Sequence, residues 1–99
     1  MKLSDQIISS ARETISNEAE AIANLENFID EDFIQAVEMI YKSEGRVVVT
    51  GIGKSAIIAN KIVATLNSTG TPSIFMHAAD AIHGDLGIVQ DNDIVICIS

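Results

Sequence analysis

The chain has 99 residues, 47% of them apolar and 20% charged, which suits one small folded domain and excludes a disordered tail. Six basic residues against 14 acidic ones give a net charge of -8, a field that repels nucleic acid and anionic membrane but still permits one phosphorylated small molecule at a local positive site. No run approaches the roughly 20 apolar residues of a membrane span, and residues Met1 to Gln6 contain no secretory apolar core, so the cytoplasm is the expected compartment.

The first element is a helix over residues 4–28. Ile8, Ile15, Ile22 and Ile29 recur every seven residues, with Ala11 and Leu25 between them and Glu18 interrupting the seam. Ser4 or Asp5 is the expected cap at its start. The stripe suits either packing on the chain's own domain or packing across a subunit interface. A second helix is expected over 31–43, capped by Asp30, with Glu31 and Asp32 at its positive end and Lys42 at its negative end. These two helices form an arm, residues 1–45, that carries 10 acids against 3 bases. Residues 46–99 carry only 4 against 3, and all six glycines lie between Gly45 and Gly87. Chemistry is expected in that second part.

From Arg46 the hydrophobic period changes. Val47-Val48-Val49 is a β-branched run ending at Gly51, which reads as a strand buried on both faces. A helix follows over 54–68, with Ala59, Ile62, Val63 and Leu66 on its inner stripe, and Gly70 and Pro72 stop it. Ser73 to Met76 is a second strand, Ala78 to Ile82 a helical turn, and His83 to Gly87 a loop. Asp91-Asn92-Asp93 marks a turn, and Ile94 to Ile98 is a third strand, apolar throughout. The lone cysteine, Cys97, lies in that strand and reads as a reduced, buried thiol, with no internal disulfide framework. Two helices followed by alternating strands and helices predict an α/β fold with a parallel sheet. An apolar third strand also needs cover and a neighbour, so residues 46–99 are expected to be the first half of a larger domain.

Gly51-Ile52-Gly53-Lys54-Ser55 joins the first strand to a helix. Glycines there allow a tight turn, and the free N–H groups of the helix start attract an anion. Lys54 adds a charge and Ser55 a hydroxyl, both suited to phosphate oxygens. A Walker A loop is excluded, because the required earlier glycine is Val48. Gly51, Gly53 and Ala56 formally match a dinucleotide fingerprint, but the second strand ends Phe75-Met76-His77 without the expected acid. A monophosphate site and a plain glycine turn remain. His83, beside Gly84 and Asp85, is either a proton-transfer group or a structural histidine. His77, Asp80 and His83 invite a metal reading, but their spacing does not converge on one helical face.

Three segments together, Gly51–Ser55, Ser68–Ser73 and His83–Gly87, resemble the sugar isomerase (SIS) domain and more narrowly the bacterial arabinose-5-phosphate isomerases. The resemblance runs from about residue 43 to Ser99. It implies a flavodoxin-like parallel sheet of five strands, three of them here, and reversible conversion of D-arabinose 5-phosphate to D-ribulose 5-phosphate without a cofactor. It implies a homo-oligomer, commonly a tetramer, with a phosphorylated pentose as substrate. It also implies Lys54 and His83 as catalytic residues, and Gly51, Gly53, Lys54, Ser55 and Ser99 as phosphate-binding ones, Ser99 opening a second serine loop. The alternative reading is a phosphosugar-binding module without chemistry.

Overall fold

A computed structural model describes residues 2–99; the Asp85 side chain lies outside that description. Compact units form up to Ala36 and over Val37–Ser99. In the first unit, α1 runs Leu3–Asn24 and then tightens into a 3-10 turn, Leu25–Phe28, so the single helix expected over 4–28 changes winding at its last turn. Lys2 precedes α1 without a side-chain cap, so neither Ser4 nor Asp5 caps it; both fall inside the helix. The seven-residue stripe is present and exposed, with Ile15 at 67% and Ile22 at 68%. Helix α2, Glu31–Lys42, starts as expected: the Phe33 N–H donates to the Asp30 carboxylate at 3.2 Å. Its last turn belongs with the second unit, where Ile40 packs on the sheet core.

The second unit is built on β1 (Val47–Gly51), α3 (Lys54–Ser68), β2 (Ser73–His77), the single turn α4 (Ala78–Ala81), a 3-10 turn (Asp85–Ile88) and β3 (Ile94–Cys97). The three strands are parallel in the order β2-β1-β3, the first three positions of a flavodoxin-like sheet. Every residue of β1 is buried, which is why the sequence there is β-branched without alternation. Val47, Val49 and Ala59 form the core on one face, joined by Ile62, Val63, Leu66, Phe75 and Ile96. Each fully buried valine contributes about 1.5–3 kcal/mol. The crossover from β2 to β3 runs opposite to that from β1 to β2. Right-handedness therefore sends it over the other face of β1, where Val48 is fully buried. Helix α3 ends in a Schellman motif: Thr71 N–H donates to Leu66 C=O at 2.9 Å and Gly70 N–H to Asn67 C=O at 3.3 Å.

Strand β3 departs from expectation. Ile94 and Ile96 are half-buried, whereas Val95 and Cys97 are exposed. The strand lies at the edge of the described sheet and only one of its faces is packed, so its apolar residues alternate and the Cys97 thiol is accessible.

At the N-terminal edge of the sheet, Arg46 and Asp93 form a clamp. Asp93 accepts from the Arg46 N–H at 2.8 Å, the Arg46 guanidinium at 3.0 Å and the Gln90 N–H at 2.8 Å, with only 1% of its side chain exposed. The same guanidinium donates to the Ile88 carbonyl at 2.7 Å. This fixes the entry to β3 against the entry to β1, next to the Ile94 N–H donating to Arg46 C=O at 2.9 Å. The Arg46 side-chain hydrogen bond, followed by the two backbone N–H groups, holds the Asp93 carboxyl at about 2, below its ordinary 3.8. A folded-state value below the unfolded one stabilises the fold above pH 3.8 and is lost as pH falls towards 2. Asp93→Asn is therefore expected to lower the melting temperature at neutral pH and to flatten its fall across that acid window, measured by thermal circular dichroism.

Candidate functional site

Three parallel strands end at one edge of the sheet, and the residues singled out by sequence leave from that edge. Gly51 pairs with His77 at the end of β2, and Thr50 pairs with Cys97 at the end of β3. The Ile98 N–H then donates to Thr50 C=O at 2.9 Å, extending the ladder to the doorstep of Ser99. Chain order reverses between β1 and β3, so this edge contains the topological switch point, the usual ligand crevice of open α/β sheets.

The turn from β1 into α3 requires its glycines for separate reasons. A Cβ on Gly51 would lie 2.9 Å from the Ser55 backbone, because the first turn of α3 presses against the strand end. Gly53 caps α3 with φ 61° and ψ -129°, a conformation reserved for glycine, and a Cβ there would meet open space. The Ser55 N–H donates to Ile52 C=O at 3.2 Å and the Ala56 N–H to Gly53 C=O at 3.1 Å. No backbone acceptor is found among the described residues for the Gly53 and Lys54 N–H groups, and no side chain caps the helix. The result is a helix start with unpaired N–H groups in an exposed turn, with exposed Lys54 and half-buried Ser55 beside them.

His83 lies six residues beyond the end of β2, exposed, in the turn after α4. Among the described residues its side chain makes no hydrogen bond, so the structure brings Gly51, Gly53, Lys54, Ser55 and Ser99 to neighbouring strand ends but does not join His83 to them. Asp80 is exposed on α4. The Asp85 side chain, next but one to His83 in the chain, lies outside the described residues. The described residues hold no group of three metal-binding side chains, and no described helix is long and apolar enough to cross a membrane. A hollow of about 480 Å³ beside Tyr41, Gly45 and Pro72 opens at the opposite edge of the sheet, away from this chemistry.

Sequence reasoning missed two polar groups. Asp93 looked like part of a turn, although an acid just before a strand can receive N–H groups from the strand before it in space. His77 entered as the end of the second strand and in a metal reading, never as a cap. Its Nδ1 accepts the Ala79 N–H at 3.2 Å, capping α4, and the signal for it was a polar residue between a strand and the helix-forming Ala78-Ala79-Asp80-Ala81.

A parallel α/β sheet with unpaired N–H groups at a helix start beside its switch point is the arrangement in which open α/β sheets hold ligands and anions. Comparison with known families makes this specific: the SIS domain matches residues 39–99, and the chain belongs to that family. It is 43% identical over 97 residues to the arabinose 5-phosphate isomerase GutQ of Escherichia coli K12, covering 98% of this chain and 30% of the relative. It is 48% identical over 92 residues to the arabinose 5-phosphate isomerase KdsD of Pseudomonas aeruginosa, covering 93% of this chain and 28% of the relative. A structure of an Escherichia coli CFT073 protein in complex with arabinose 5-phosphate superposes with a TM-score of 0.89 at 40% identity, covering all of this chain and 52% of the other. The chain thus spans under a third of the curated relatives' length.

Replacing Gly53 with Ala should cost about 1–3 kcal/mol of stability, since φ 61° with ψ -129° strains any side-chain-bearing residue. Urea denaturation measures it, and an unchanged midpoint would contradict the stated backbone requirement.

Proposed function

We propose that the protein is a sugar-phosphate aldose–ketose isomerase that interconverts D-arabinose 5-phosphate and D-ribulose 5-phosphate. In this reading it acts in the cytoplasm and supplies the eight-carbon acid sugar of lipopolysaccharide or capsule. The observation that carries the proposal is the start of α3: unsatisfied N–H donors, Lys54 and Ser55 converge at the switch point of an SIS-family sheet. Relatives that match nearly the whole chain bear the name of this activity.

The reaction moves a proton between C2 and C1 through an enediolate, so it needs a phosphate handle, a proton carrier and a cation for the developing oxyanion. Gly51 and Gly53 let the backbone approach the phosphate, and Ser55 and Ser99 add hydroxyl donors from the ends of β1 and β3. Lys54 stabilises the charge that develops on the carbonyl oxygen. His83 moves protons during ring opening or enolisation once its turn closes over the sugar. The base that abstracts the C2 proton is expected from outside residues 46–99, since Asp80, the carboxylate described nearest to His83 in the chain, is exposed and its side chain makes no hydrogen bond among the described residues. A homo-oligomer, a tetramer by resemblance, agrees with the exposed Ile15 and Ile22 stripe of α1.

Incubating the complete natural polypeptide with arabinose 5-phosphate in D₂O tests the reaction by deuterium entering C2. Lys54→Ala should slow exchange by about 100-fold or more, while Ser55→Ala should mainly raise KM. Binding without exchange would turn the reading to a phosphosugar sensor. Replacing Ile15 and Ile22 with Asp should lower the mass seen by light scattering, and an unchanged mass would remove α1 from the assembly.

A further inference from the structure

His77 ends β2 directly beside Gly51 and begins the segment that carries His83. Its ring is held from three sides. The backbone is fixed by pairing in the sheet, and the ring meets Phe75 edge-on with centroids 6.1 Å apart and planes at 79°. Phe75 itself packs on the Val47–Val49–Ala59 core. The third restraint is the hydrogen bond from the Ala79 N–H to Nδ1, at 3.2 Å. Because the donor is a backbone N–H, Nδ1 presents its lone pair and the neutral ring carries its proton on Nε2. This is the N-cap position, and acceptance from the second helical residue is what a capping Asn, Asp or Ser does.

Few hydrogen bonds connect the segment beyond to the sheet. From Ala78 to Val89 the backbone bonds outside the helical turns are short-range and internal: His83 N–H to Asp80 C=O, Gly84 N–H to Ala81 C=O, Gly87 N–H to Gly84 C=O, Val89 N–H to Leu86 C=O. They curl the segment, whose Ala78, Ala79, Ala81 and Val89 are half-buried, but add no hydrogen bond to the sheet. Among the described residues, hydrogen bonds tie it to the sheet at two places: His77 Nδ1 at its start and the Arg46 guanidinium on Ile88 C=O at its end. His83 lies between these pins, four residues after Ala79 and five before Ile88. We infer that His77 is a positioning residue, its Nδ1 orienting the turn that sets where the His83 imidazole stands relative to the Gly51–Ser55 loop. This rests on the isomerase reading for its consequence, but not for its geometry.

Two variants of the complete natural polypeptide separate the cap from the ring. His77→Phe keeps an aromatic edge against Phe75 and removes the acceptor. His77→Asn keeps a short acceptor and removes the ring. The cap predicts that His77→Phe lowers kcat at least tenfold with KM within threefold, and that amide exchange over residues 78–88 speeds up at least tenfold while residues 54–68 keep their protection. His77→Asn should stay within threefold of wild type in both readouts. A His77→Phe variant matching wild type in kcat and exchange would overturn the inference. So would a His77→Asn variant as slow as His77→Phe with wild-type protection, because the ring would then act on substrate directly. If wild type shows no exchange at C2 of arabinose 5-phosphate, the functional reading fails alone, and amide exchange still decides whether His77 holds the turn.

Discussion

Strand β1 is hydrogen-bonded along both edges to parallel neighbours and covered on both faces. That constraint organises the rest of the unit. Parallel pairing in register brings the ends of β1, β2 and β3 to one edge, so residues as far apart in sequence as Gly51, His77 and Cys97 finish level or within one step. A central strand with neighbours on both sides also forces the two crossovers onto opposite faces. Among the described residues, the backbone leaves β1 through the turn into α3 with the Gly53 and Lys54 N–H groups unspent. The close approach of Ser55 backbone to Gly51 fixes that turn against the strand, so the donors are held before any ligand arrives.

The opposite edge does the complementary work. Asp93 gathers three donors in a site nearly sealed from water, two of them from Arg46. One arginine thereby touches the start of β1, the start of β3 and the end of the segment that carries His83. The glycine turn and the histidine turn thus share a common support, although no hydrogen bond joins them directly among the described residues.

What could be read in the sequence is what local physics dictates. The valine run ending at Gly51, the helix over Lys54–Ser68 and the Gly70–Pro72 stop depend on neighbours within a few residues, and each lies where its pattern placed it. The glycine turn was legible for the same reason. The Arg46–Asp93 clamp was not, because its partners are 47 residues apart and meet only once parallel register is set. Cys97 was misjudged because an apolar strand looks alike whether one face or two are packed; the alternation in burial comes from the sheet edge. The start of α1 shows a further limit. Ser4 and Asp5 both suit a cap, yet the helix begins at Leu3, two or three residues earlier than either would require, and Asp5 serves the helix dipole from within the first turn.

The central claim is that the start of α3 holds the phosphate of a sugar phosphate. Titrating the isotopically labelled complete polypeptide with arabinose 5-phosphate, and following backbone amides by NMR, tests it most directly. The account predicts saturating shifts centred on Gly53, Lys54 and Ser55, reproduced in part by inorganic phosphate. Saturable binding that leaves those amides unmoved while shifting residues elsewhere would contradict it.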